Sequence, residues 1–134
     1  RIVTDSLPSA QKSREPGSSL LNTAKGLEYS DNDPDFYREL LRLFTEEAPK
    51  SLERLSSALA DNDLELYTTL VHGLKNNARG IGADSAGELC FEAEQNARAG
   101  NAAPLPELHL KIEQAITEAA AEAARLSKAE KITQ

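Results

Sequence analysis

The 134-residue chain has a net charge of −7 and 40% hydrophobic residues, which suits one domain with a single core. An acidic chain lacks the basic face that would meet phosphates, which argues against a general nucleic-acid binder. No apolar run approaches the ~20 residues of a membrane span, no secretory leader is visible, and the single cysteine, Cys90, excludes an internal disulfide and fits a reducing cytoplasm.

Residues 1–19 are rich in Ser and Pro and read as a flexible linker. The start at Arg1 and the lack of Met suggest a piece of a longer protein or a processed product. "LLNTAKGLEY" (20–29) predicts a short helix ending near Gly26. Asp33-Pro34 then offers an N-cap followed by proline at the first helical position. Phe36, Tyr37, Leu40, Leu41 and Phe44 recur at helical spacing, and the stripe resumes as Ala48, Leu52, Leu55 and Leu59. Pro49 lies between and either kinks one long helix or starts another.

"DND" (61–63) breaks that helix and caps the next, whose stripe is Tyr67, Leu70, Val71, Leu74, Ala78 and Ile81. Gly80 and Gly82 loosen its end. Ser85 and Glu88 form a capping-box pattern before a helix with Leu89, Cys90, Ala93 and Ala97 on one face. Gly100-Asn101 stops it, and Pro104 and Pro106 bracket the last start. The final stripe runs from Leu105 through Leu108, Ile112, Ile116, Ala119 and Ala123 to Leu126. No segment alternates with period two. The prediction is all-α, an antiparallel four-helix bundle over 20–127 with a short N-terminal helix and a tail over 128–134.

His72 stands out. At about 100° per residue it lies roughly 150° from the centre of its helix's core stripe, so it faces outward. Its face neighbours are Thr68, Thr69, Lys75, Asn76 and Arg79, with Gly73 beside it. Short neighbours let another protein approach the ring. A neutral imidazole is a nucleophile, and Lys75, one turn on, can stabilise a phosphoryl group placed on it. Residues 66–83 hold no acid at all, a neutral-to-basic strip suited to an acidic partner. A solvated histidine without a role remains the alternative at this level.

Other candidates read as structure. His109 sits at the edge of the last stripe and packs at a boundary. Cys90 lies on a core stripe as an inert buried thiol. A di-iron bundle wants Glu three residues before each histidine, but positions 69 and 106 are Thr and Pro.

"HGLKNNARGIGA" (72–83) resembles the signature of histidine-containing phosphotransfer (HPt) domains of bacterial phosphorelays, H-x-L-K-G-x-x-x-x-[IV]-G-A. His72, Leu74, Lys75, Ile81, Gly82 and Ala83 match it. "DFYRELLRLFTEEAPKSLERLSSALADND" (35–63) resembles the preceding helix, and "LCFEAEQNARAGN" (89–101) the following L-x-x-x-L-E-x-x-x-R-x-G-[ND] stretch, with Ala93 at a leucine position. One departure is Asn76, where the family usually has a small residue.

The resemblance implies that His72 accepts a phosphoryl group from the phospho-aspartate of a receiver domain and hands it to a second receiver. Lys75 would neutralise its charge, and Thr68, Thr69, Asn76 and Arg79 would border the docking face. Gly82 would permit the turn that closes the helix. It implies a phosphocarrier rather than an enzyme: a cytoplasmic monomer that binds response-regulator receivers but neither nucleic acid nor membrane. No metal or cofactor is expected in the domain, Mg²⁺ being supplied by the receiver. Such a module would come from a relay protein such as a hybrid sensor kinase, which can be membrane-anchored. The alternative is a degenerate bundle that only binds partners.

Overall fold

A computed structural model describes residues 21–129. The linker expected over 1–19, and the tail beyond residue 129, lie outside the described residues. Within them the chain forms five helices: α1 (Thr23–Tyr29), α2 (Pro34–Ala60), α3 (Leu64–Gly80), α4 (Asp84–Arg98) and α5 (Leu105–Ser127). Helix α3 packs on α2 and α4, and α5 closes the square against the same two helices. Short connections make sequence neighbours antiparallel. Helix α1 lies across one end, on α2 and α3.

Local chemistry explains most boundaries. Asp33 accepts hydrogen bonds from the amides of Asp35 and Phe36, with Pro34 as the first helical residue. Asp63 caps α3 through the Leu66 amide. The chain leaves α3 through Gly82 at φ +89° and leaves α4 through Gly100 at φ +78°.

Two expectations about helix ends are corrected. Helix α1 does not end near Gly26 but runs on to Tyr29. Gly26 is buried inside it because a Cβ there would lie 2.4 Å from the Tyr37 ring, so closeness rather than helix termination requires the glycine. Of the two readings of Pro49, one long helix is the one observed: α2 is continuous through Pro49, which lies on its exposed side. The Ser85–Glu88 capping box is not formed. Helix α4 starts at Asp84 with Ala83 as its N-cap and no side-chain cap, and Glu88 points instead to Arg79.

The core holds Tyr37, Leu41, Phe44 and Leu55 from α2, Tyr67, Val71 and Leu74 from α3, Cys90 and Ala93 from α4, and Leu105, Ile112 and Ile116 from α5. Phe36, expected in the stripe, is exposed in the first turn of α2. His109 is buried as a boundary residue, with Nδ1 3.1 Å from the Tyr67 hydroxyl and Nε2 3.4 Å from Glu113. Burial pushes the Cys90 thiol up to about 12, so it stays protonated.

Candidate functional site

His72 lies mid-way along α3 with its side chain 49% exposed, on the outward face that its spacing indicates. Exposure on one side is matched by anchoring on the other. Nδ1 sits 2.7 Å from Oε2 of Glu94, which reaches across from α4. Glu94 is buried, and Nζ of Lys75 donates to its other oxygen, Oε1, at 2.8 Å. Arg98, one turn further along α4, donates to Oε2 at 2.5 Å. One carboxylate therefore gathers three cationic or cation-capable groups.

Burial alone would raise the Glu94 pKa. The hydrogen bonds from Lys75 and His72, and then their charges, overcome it and hold the carboxyl at about 2. An ionised carboxylate only accepts, so Nδ1 carries the ring proton. In an uncharged ring the outward Nε2 is then an acceptor, and Nδ2 of Asn76 lies 3.3 Å from it, in position to donate.

Lys75 departs from the sequence picture of a cation on the solvent face. It is buried, paired to Glu94, with its ammonium 5.5 Å from the centroid of Phe91. Three residues past His72 corresponds to about −60° around the helix, and that flank is the one α4 covers. Arg79 lies 5.6 Å from the same ring and pairs with Glu88 at 3.4 Å. The acid-free strip 66–83 is therefore matched by acids of α4.

Thr68 and Thr69 turn their hydroxyls back to the carbonyls of Leu64 and Glu65. They border, with Ala97 and Arg98, a hollow between α3 and α4. Gly82 lies away from the ring. Its carbonyl accepts from the Asn22 amide at 2.8 Å, and the Tyr37 hydroxyl donates to the adjacent Ile81 carbonyl at 2.8 Å. Gly82 thus joins the end of α3 to α1 and α2. Among the described residues no group of three or more His, Cys, Asp and Glu side chains converges as a metal site, and no helix is long and apolar enough to cross a membrane.

Glu94 and Arg98 carried no role in the sequence reading. A signal was present: Glu94 stands four residues after Cys90, on the apolar stripe of α4, where a carboxylate needs partners.

A family model for the Hpt domain matches residues 39–122. The chain belongs to the Hpt domain family. Phosphotransfer in two-component signalling is the general function of this family. Two solved structures share the Hpt fold with it. The HPT domain of a sensor hybrid histidine kinase from Shewanella aligns at TM-score 0.75 and 20% identity, covering 84% of this chain and 97% of that one. Histidine-containing phosphotransfer protein B (HptB) of Pseudomonas aeruginosa PAO1 aligns at TM-score 0.76 and 21% identity, with the same coverage. Among curated proteins none matches the sequence.

Proposed function

We propose that this Hpt domain is a phosphocarrier in which Nε2 of His72 takes a phosphoryl group from a receiver phospho-aspartate and passes it to the aspartate of a second receiver. The observation that carries this reading is the exposed imidazole whose inner nitrogen is held by a buried, ionised Glu94. With the proton on Nδ1, the Nε2 lone pair faces the side from which a partner can approach.

In the forward step that lone pair forms the N–P bond. The P–O bond to the donor aspartate breaks, and its electron pair leaves on the aspartate oxygen. The ring becomes positively charged with Nδ1–H retained, and Glu94 at 2.7 Å compensates that charge. Transfer onward is the same step in reverse with a different aspartate. Lys75 acts through Glu94: its hydrogen bond and charge hold that carboxylate ionised against the inner side of the ring. Thr68, Thr69, Asn76 and Arg79 border the docking face. The receiver supplies Mg²⁺, and the domain works as a cytoplasmic monomer.

The test is incubation with phosphorylated receiver domains, for the wild type and His72→Gln. Acid-labile, base-stable phosphate should appear on the wild type alone. Its absence with every receiver of the source organism would leave a bundle that only binds partners.

A further inference from the structure

The nitrogen that must attack phosphorus is not free in the resting domain. Nδ2 of Asn76 lies 3.3 Å from Nε2 of His72, and the lone pair that accepts this hydrogen bond is the one that forms the N–P bond. Attack and the Asn76 contact exclude each other. The contact is an i, i+4 pair on one helix, so it forms without any partner.

Asn76 also has somewhere to go. It stands on the rim of a cavity of about 330 Å³ between α2 and α3, lined by Leu40, Leu43, Phe44 and Leu74. The helical positions on either side, Gly73 and Gly80, are open: a Cβ at either would meet nothing within 4 Å. The amide can therefore leave the ring without displacing a packed side chain.

We propose that Asn76 is a gate on the nucleophile: its amide occupies the Nε2 lone pair of His72 at rest and swings toward the α2/α3 cavity before phosphoryl transfer. This rests on the phosphotransfer reading of His72. The gate stands outside the reacting atoms, so Asn76 is a positioning residue. It makes the resting domain slower toward any phosphodonor than the same bundle without the amide.

The experiment compares ¹⁵N-labelled wild type with Asn76→Ala, a substitution favoured by helix propensity at an exposed position. Imidazole ¹⁵N spectra are recorded at a pH where the ring is neutral. Loading rates are measured with phosphoramidate, a small donor that needs no docking, and with a phosphorylated receiver. The gate requires the Nε2 resonance of His72 to move downfield in Asn76→Ala while Nδ1 stays protonated. Loading should become roughly two- to tenfold faster with both donors, the size of one neutral hydrogen bond broken before attack. An unchanged Nε2 resonance, or unchanged phosphoramidate loading, overturns the gate and leaves the carrier reading standing. If neither protein takes phosphate from either donor, the carrier reading fails and the gate with it.

Discussion

Glu94 stands 22 residues after His72, on another helix, yet places Oε2 2.7 Å from its Nδ1. The pair fixes which ring nitrogen bears the proton. Glu94→Gln keeps the shape but loses the charge, and its NH2 group takes the place of one of the two oxygens that now accept separately from Nδ1–H and from Lys75. Loading of Glu94→Gln from a phosphorylated receiver should be about ten- to a hundredfold slower, the worth of a charge-assisted hydrogen bond. Single-turnover kinetics check this. A wild-type rate would show that the carboxylate does not act on the ring.

Lys75→Ala should lower stability by about 2–3 kcal/mol. Removing one member of a buried ion pair costs about 3–5 kcal/mol when nothing else compensates, and here Arg98 still reaches Glu94. The urea midpoint reads it. A loss within about 0.5 kcal/mol, the range of ordinary surface changes, would put the ammonium in solvent.

The Glu94 carboxyl, held at about 2 when folded, returns to about 4.3 in the unfolded chain. The unfolded state then binds the proton more readily, so stability rises with pH across this window. The contribution, on the order of 3 kcal/mol, is complete above about pH 4.5 and vanishes as pH falls through about 2. Thermal melts should show that acid slope in the wild type and a flatter one in Glu94→Gln.

Cys90 should resist thiol reagents in the folded domain and react freely in urea. Burial raises its pKa to about 12, and the thiolate is the reactive form. Labelling at neutral pH should therefore follow the opening of the bundle. Prompt native labelling would contradict the burial.

Two glycines of α3 and its exit turn should respond oppositely to alanine. At Gly82 the backbone is left-handed and a Cβ would lie 2.3 Å from the Asn22 carbonyl oxygen, so Gly82→Ala should cost at least about 2 kcal/mol. At Gly73, in mid-helix with open space, alanine should stabilise by about 0.5–1 kcal/mol. Denaturant titration of both variants separates them.

The sequence carries the helix count, the caps at Asp33 and Asp63, and the outward direction of His72, because each is set by neighbours within a few residues. What it does not carry is set across helices. Gly26 ends no helix because Tyr37 packs against it, a contact between elements. The burial of Lys75 depends on which flank of α3 the next helix covers. Glu94 joins His72 and Lys75 through packing of α3 on α4, and no helical period contains a separation of 22 residues. Two local hints were the carboxylate on an apolar stripe and the match of Glu94 and Arg98 to the E and R of the stretch 89–101, which say that a partner exists and not which one.

The anchored imidazole has a further consequence, for association. A half-exposed histidine would ordinarily sample several rotamers, and a partner would have to select one. Here the bond to Glu94 restricts the ring once the bundle has folded. Ordering a side chain at an interface costs roughly 0.5–1.5 kcal/mol, and that cost falls on folding rather than on each encounter. A receiver that docks at His72, as proposed, would meet a ring already oriented.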